Sequence, residues 1–169
     1  MTDYNNMTLR EELEARFKEA GENKKEAEFL SRGWQPPSTV NDDKEYSWGD
    51  IASQIYGATG DMIRNYIDMR RDNIQKADDY FHCKANYEAA ARGRYGEKTA
   101  SYLGDTKERI DYFKNRMSLK GMSPFDAYGD YLHDRYVNKV GRQQAKSGLY
   151  SNSKDGCLMY RVNGINEKY

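Results

Sequence analysis

Four basic side chains recur at helical spacing late in the chain, and together they could form an anion-binding surface. They are Arg135, Lys139, Arg142 and Lys146. Residues three or four positions apart share a face of an α-helix, and polyanion binding to such a face should weaken steeply with salt. Acidic residues precede them at positions 126, 130 and 134, so the pattern also fits a helix whose charges complement its dipole. The dipole interpretation is favoured, and polyanion binding stays open.

The chain has two histidines and two cysteines, the residue types best suited to binding metals or acting as nucleophiles. His82 directly precedes Cys83, and adjacent helical positions point in different directions. A zinc site would need all four residues, including His133 and Cys157, to converge. No phosphate-binding loop or nucleophile motif accompanies them. We therefore predict no catalytic residue, no metal and no cofactor.

The same residues have simpler structural roles. His82 is expected to be a buried histidine that makes one hydrogen bond. Cys83 and Cys157 are too few for a disulfide scaffold. Two separate thiols are the favoured interpretation, and one bridge between them is the alternative.

Composition restricts the class of protein. Lys and Arg (27) balance Asp and Glu (27), which argues against a general nucleic-acid binder. The hydrophobic fraction of 37% includes 15 tyrosines, so Tyr and Met are expected to complete the core. No apolar run approaches the roughly 18 residues of a membrane span. Met1–Arg10 lacks the apolar core of a signal peptide. The sequence therefore predicts a soluble protein that is cytoplasmic as synthesised, with export by a specialised route left open.

The elements that would position these residues divide the chain into three parts. An amphipathic helix is predicted between Thr8 and Ser31, since Thr8 and Glu11 form a capping-box pattern. Pro36 and Pro37 then end helical structure. We predict an N-terminal helix or arm at residues 1–33, a linker at 34–46 and a helical bundle at 47–169.

The bundle region carries apolar residues at helical spacing. Ser47 can cap its first helix, which Gly57 and Gly60 are expected to break before a longer helix begins at Asp61. Further helices are predicted at about 78–92, 97–117 and from 124 onward, and residues 93–96 read as a turn. From Ser147 the periodicity fails. The fold is therefore predicted to be all-α, a four-helix bundle with an extra N-terminal helix and an irregular C-terminal tail.

Collinear segments of this region resemble serum amyloid A, and the resemblance covers about residues 46–169. They correspond to the family's first helix, its Tyr-Phe-His and Asn-Tyr-Asp-Ala-Ala segments, its third helix, and its Gly-Arg, Ser-Gly and Lys-Tyr elements near the end. The matching segments are Asp61–Arg70, Asp79–His82, Asn86–Ala90, Arg92–Gly93, Ser101–Phe113, Gly141–Arg142, Ser147–Gly148 and Tyr160–Tyr169.

The residues that carry the resemblance are interpreted as architectural. They are Tyr80, Phe81, His82, Asn86, Tyr87, Arg92, Gly93, Asp105, Arg109, Gly141 and Arg142. Arg92 and Arg109 are candidates to pair with Asp79, Asp105 or Glu108 and so tie helices together. The family's Pro-Gly-Gly turn is replaced here by residues 94–96, and the loop after Met117 is longer.

The resemblance implies a fold more than an activity, because one fold hosts many functions. It implies lipid or heparin-like polyanion binding, and similar segments are known in bacterial proteins near Rhs-type polymorphic toxins. We therefore expect a distant, bacterial or Rhs-associated relative that acts as a non-enzymatic binding module for a protein, lipid or polyanion. The alternative is a secreted toxin or effector, or its immunity or adaptor protein. A protein partner is expected, and homo-oligomerisation stays open.

Overall fold

A computed structural model describes residues 45–117 and 122–169. Within these ranges the chain is helical and contains no strand, so the predicted all-α bundle is confirmed. The helices are α1 (Trp48–Asp72), α2 (Asp78–Ala91), α3 (Arg94–Arg116), α4 (Pro124–Ser147), the single turn α5 (Ser153–Gly156) and a 3-10 helix (Leu158–Tyr160). The predicted N-terminal helix and most of the linker lie outside the described residues, so the three-part division stays a prediction.

Helix α1 begins at a complete capping box. The amide of Asp50 donates to the Ser47 hydroxyl oxygen at 3.1 Å, and the amide of Ser47 donates to the Asp50 carboxylate at 3.2 Å. The helix then runs unbroken to Asp72, so the break expected at Gly57 and Gly60 is wrong. Gly57 has a packing role instead, because a side chain there would collide with the guanidinium of Arg92.

Helices α2 and α3 are joined by two residues, Arg92 and then Gly93. The φ of +117° at Gly93 suits glycine rather than other residues. The turn predicted at residues 93–96 is too long, since α3 already begins at Arg94. The side-chain oxygen of Gln54, from α1, accepts a hydrogen bond from the amide of Tyr95 at 3.0 Å. This bond satisfies one of the free amides at the start of α3.

Helix α2 is the centre of the bundle and packs against α1, α3 and α4. Gly141 of α4 lies so close to α2 that any side chain would strike the carbonyl oxygen of Cys83. Helix α4 itself starts as its sequence predicts, because the amide of Asp126 donates to the hydroxyl of Ser123 at 3.1 Å and Pro124 occupies the first turn.

Two apolar clusters of different kind stabilise the bundle. The first, which we call the aromatic cluster, joins α2, α4 and the C-terminal tail, and consists of Ala77, Tyr80, Phe81, Cys83, Tyr87, Val137, Cys157, Ile165 and Tyr169. The second, which we call the alanine cluster, consists of Ala58, Ala89 and Ala100, with Met62 packed against them.

A disulfide bond joins Cys83 to Cys157 within the aromatic cluster, so the expectation of two separate thiols is wrong. The backbone folds α5 back against α2 and brings the two Cα atoms to 5.8 Å, a normal separation for a disulfide. The tail that sequence periodicity marked as irregular is therefore tied covalently to the central helix.

Candidate functional site

The predicted basic stripe lies on α4, but most of its charges are paired with neighbouring helices. The pairs are Arg135 with Asp105 at 3.3 Å, Arg142 with the side-chain oxygen of Asn86 at 2.7 Å, and Lys146 with Glu97 at 3.0 Å. Burial lowers the pKa of Arg142 from its ordinary value. Lys139 is exposed and has no ionic or hydrogen-bonding partner within residues 45–117 and 122–169. Polyanion binding by these four residues stays a prediction.

Arg142 begins a line of hydrogen bonds that crosses three helices. Its guanidinium donates to the side-chain oxygen of Asn86, whose amide group donates to the oxygen of Asn138 at 2.7 Å. Asn138 in turn donates to Oε1 of Glu108 at 3.2 Å. Two of the residues that carry the family resemblance, Asn86 and Arg142, therefore act together with Glu108, which the sequence suggested only as a partner for Arg92 or Arg109.

Glu108 lies at the end of this line and is 2% exposed. Nδ1 of His82 is 3.7 Å from its Oε1, too far for a hydrogen bond. Asp134 of α4 lies on the other side, and one ligand-type atom from each of His82, Glu108 and Asp134 lies within 4.8 Å of the others. We call these three residues the acid–histidine cluster.

The charges around this cluster shift two pKa values. Burial raises the pKa of Asp134 to about 8, and the negative charges of Glu108 and Asp130 act in the same direction. Burial lowers the pKa of His82, and the nearby Lys107 ammonium lowers it further. The expected single hydrogen bond of His82 is not found at Nδ1, which is buried without a partner among the described residues.

A cleft adjoins the acid–histidine cluster where the four long helices meet. Its walls include His82, Glu108, Asn138 and Lys107, together with Tyr66 and Met69 of α1. The centres of water molecules have about 40 Å³ available there, enough for a few waters at roughly 10–15 Å³ each. The cleft is therefore too small for a drug-sized ligand, which typically needs at least about 300 Å³.

A second polar network links α1 to α2 beside the alanine cluster. Asp61, which is 2% exposed, pairs with Arg64 at 2.6 Å and with the guanidinium of Arg92. Glu88 accepts hydrogen bonds from Lys84 at 2.6 Å, Asn65 at 2.7 Å, Ser153 at 2.8 Å and Arg64 at 3.0 Å. Burial alone would raise the pKa of Glu88, but these donors outweigh it and the pKa is lowered.

Several pairings differ from those expected. Arg92 pairs with Asp61 rather than with Asp79, Asp105 or Glu108. Arg109 is exposed and makes no ion pair with the described residues.

The other residues that carry the resemblance have structural roles. Tyr80 and Phe81 are buried in the aromatic cluster, Tyr87 donates to the carbonyl of Tyr150 at 2.8 Å, Asp105 binds Arg135, and Gly93 and Gly141 permit close helix contacts.

The largest exposed apolar side chains of α1 and α3 lie along one side of each helix, and we call these two sides together the α1/α3 apolar face. Its members are Trp48, Ile55, Tyr56, Ile63, Tyr66 and Ile67 on α1, and Tyr102, Ile110, Phe113 and Met117 on or next to α3. They follow helical periodicity on both helices, and the two helices pack against each other. The opposite side of α1 buries Ala58, Asp61 and Asn65.

Sequence reasoning missed the role of Glu108, although a signal was present. The buried positions of α3 include Ala100, Gly104, Glu108 and Asn115, all small or polar and spaced by four or seven. Such a line lies opposite the apolar residues of the same helix. If this line of small and polar residues is taken as the packed side of α3, Glu108 is predicted to lie inside the bundle.

Comparison with known proteins identifies the same family as the sequence motifs do. A family model described as serum amyloid A protein matches residues 49–169. The chain is 34% identical to serum amyloid A protein of Bos taurus over 122 residues, which are 72% of this chain and 85% of the relative. It is 34% identical to the Equus caballus protein over 66% of this chain and 90% of the relative, and 35% identical to the Notamacropus eugenii protein over 71% and 80%.

These comparisons correct two expectations. The relatives are mammalian, and nothing in the comparisons supports a bacterial or Rhs-associated affiliation or a toxin or effector role. The predicted cytoplasmic localisation is wrong, because the relatives are named as serum proteins. The Cys83–Cys157 bond agrees with this correction, since disulfides persist mainly in oxidising compartments. No helix in the described ranges is long and apolar enough to cross a membrane.

Proposed function

Because this chain belongs to the serum amyloid A family, we propose that it is a non-enzymatic module that binds a phospholipid surface through the α1/α3 apolar face. The observation that carries the proposal is the exposure of large apolar side chains on two neighbouring helices. Monomeric proteins seldom expose large continuous apolar surfaces without an interaction that uses them.

The arrangement suits an interface better than a deep pocket. Amphipathic helices that lie on membranes place aromatic and aliphatic residues on one face and charged residues on the other. Helix α1 shows this division, with Ile63 and Tyr66 outside and Asp61 and Asn65 inside. The polar network behind the face holds α1 on the bundle, so the protein can present the face without unfolding.

Trp48 offers a direct reporter of binding because it is 87% exposed at the start of the face. The chain has two tryptophans, so a Trp34→Phe variant leaves Trp48 as the single emitter. We expect its fluorescence to shift to shorter wavelength on addition of phosphatidylcholine vesicles. Vesicles containing phosphatidylserine form a second arm, which separates apolar binding from attraction between charges.

Two substitutions and one matched control test the face. Ile63→Asp and Phe113→Asp should each weaken vesicle binding by about tenfold or more, since burying one such side chain contributes about 1.5–3 kcal/mol. Leu158→Asp is the control, because Leu158 and Phe113 are both 61% exposed and Leu158 lies outside the face. Absence of vesicle binding would overturn the proposal. Salt-sensitive binding to anionic vesicles that neither Ile63→Asp nor Phe113→Asp weakens would overturn it as well.

Polyanion binding is a separate proposal, supported by the exposed Lys139 and by the resemblance. Lys139→Gln should lower the salt concentration that elutes the protein from heparin, because it removes the cation that has no partner in the described structure. Lys154→Gln is a control that changes charge equally at the tail, away from α4. Equal elution of both variants would contradict a role for the stripe.

A further inference from the structure

We propose that the acid–histidine cluster is a binding site for one divalent transition-metal ion, with Zn²⁺ as the best match. The ligands would be Nδ1 of His82 on α2, a carboxylate oxygen of Glu108 on α3 and a carboxylate oxygen of Asp134 on α4. One ligand-type atom from each of the three residues lies within 4.8 Å of the other two, and Nδ1 of His82 is 3.7 Å from Oε1 of Glu108.

Unpartnered polar atoms give the first independent support. Nδ1 of His82 and Oε2 of Glu108 are buried with no hydrogen-bond partner among the described residues, and Glu108 is 2% exposed. Buried polar atoms are normally paired, and leaving one unpaired costs about 1–3 kcal/mol. A cation between these atoms would satisfy both.

The donor set and the geometry fit zinc. One imidazole nitrogen and two carboxylate oxygens are ligand types that zinc accepts, and a site with three protein ligands leaves a fourth position for water. Ligands held about 2.0–2.2 Å from zinc in a tetrahedron lie about 3.4 Å apart. The widest pair therefore has to close by about 1–1.5 Å, a movement that side-chain rotation on three separate helices can supply.

Supporting contacts orient the ligands as a metal site requires. Asn138 donates to Oε1 of Glu108 at 3.2 Å and is itself held by Asn86 at 2.7 Å. Such outer contacts commonly fix ligating carboxylates. The small cleft reaches His82, Glu108 and Asn138, which gives an ion a route in and room for a water ligand.

Lys107 is the main opposing charge, with its ammonium 3.4 Å from Oε1 of Glu108. It already has a second partner, since Asp111 accepts from it at 3.0 Å. Loss of the Glu108 contact on metal binding would therefore leave Lys107 paired with Asp111. Lys107 contacts Oε1 of Glu108. The other oxygen, Oε2, has no partner among the described residues and takes no part in this ion pair.

The test uses the full, disulfide-bonded chain, with Co²⁺ as a spectroscopic probe and Zn²⁺ as competitor. We expect one equivalent of Co²⁺ to give visible absorption that Zn²⁺ abolishes, and Zn²⁺ to raise Tm. His82→Gln and Glu108→Gln should remove the absorption, and Asn138→Ala should weaken affinity about tenfold, as loss of an outer contact does. His133→Gln is the matched control, because His133 is the other histidine of the chain and pairs with Asp79 at 3.0 Å.

A second measurement applies if a ligand variant fails to fold. Paramagnetic Co²⁺ should broaden the imidazole signals of His82 in the unmodified protein and leave those of His133 sharp. Broadening of His133 instead, or retained binding in the Glu108→Gln variant, would overturn the proposal. Absence of any saturable binding of either ion would overturn it as well, whether or not the protein binds vesicles.

Discussion

Two regions of the bundle are stabilised by different means. At the aromatic cluster, Tyr80, Phe81 and Tyr169 pack with the disulfide in a conventional apolar core. Where α1 packs on the bundle, the three small residues of the alanine cluster lie beside a network of buried charges, and the large apolar side chains along α1 and α3 face outward. The first region therefore holds its apolar residues for stability, and the second leaves them available for contact.

The difference explains how an interaction surface can coexist with a stable fold. Apolar area exposed at the α1/α3 face contributes nothing to the core, so other interactions must hold α1 in place. Asp61 and Asn65 do so through Arg92 and Glu88. Buried ion pairs are less efficient than apolar packing but specify position closely. The position of α1 on the bundle is thus fixed while its apolar side stays exposed.

Breaking the disulfide should produce the largest effect. Its cysteines are 74 positions apart, and a loop of that length corresponds to about 4 kcal/mol of stabilisation through the unfolded chain. We expect the Cys83→Ala/Cys157→Ala double variant to lose about that much free energy of unfolding in urea titrations. Reduced wild-type protein should behave in the same way. An unchanged urea midpoint after reduction would show that the aromatic cluster alone holds the tail.

Removing Asp61 should destabilise the polar network between α1 and α2 by a smaller amount. Asp61→Asn leaves two guanidinium groups without their buried carboxylate. Breaking a buried pair costs about 3–5 kcal/mol, but Arg92 and Arg64 are 40% and 55% exposed, so partial hydration should limit the loss to about 2 kcal/mol. Urea unfolding measures it.

Asp68→Asn is the control for this change, because Asp68 is a carboxylate of the same helix that makes no ion pair with the described residues. Equal stability of the two variants would mean that the Asp61 network does not hold α1. In hydrogen exchange, Asp61→Asn should reduce the protection of backbone amides mainly in α1. Reduction of the disulfide should reduce it mainly in the tail.

A third, smaller effect concerns pH. The hydrogen bond with Asp79 raises the pKa of His133 to about 9, above the ordinary value of about 6.5. Because the folded pKa is the higher one, the stabilisation is complete below about pH 6.5 and is lost as pH rises through about 9. His133 is 48% exposed, so the contribution should stay below about 1 kcal/mol.

The difference in unfolding free energy between wild type and His133→Gln, measured from pH 6 to 10, isolates this effect from that of Asp134. The difference should shrink toward high pH. Proton-detected titration of His133 gives the pKa directly. A value near 6.5 would show that the Asp79 contact does not persist in solution.

The sequence predicted the elements better than their orientation. Serine caps before α1 and α4 were readable because a cap depends on residues close in sequence. Periodicity revealed the apolar side of α1, but it cannot tell whether that side faces the core or a partner. Gly57 lies against the guanidinium of Arg92, thirty-five positions away, and local propensity cannot anticipate such a contact.

The candidate sites show the same limit. Tyr80, Asn86 and Arg142 were recognised from motifs, yet their bonding partners lie in distant parts of the chain. The disulfide and the acid–histidine cluster each require residues separated by dozens of positions to meet. Nothing in the local spacing of Cys157 or Asp134 indicates that meeting.

The disulfide also changes the topology of the chain. The backbone from Cys83 to Cys157, closed by the S–S bond, is a covalent ring that contains most of α2 and the whole of α3, α4 and α5. A single cut by a protease anywhere inside this ring opens it without releasing a fragment. The two halves of a chain cut between α3 and α4 would stay joined through the disulfide until a reductant acts, so damage to the loop between these helices would be invisible on a non-reducing gel.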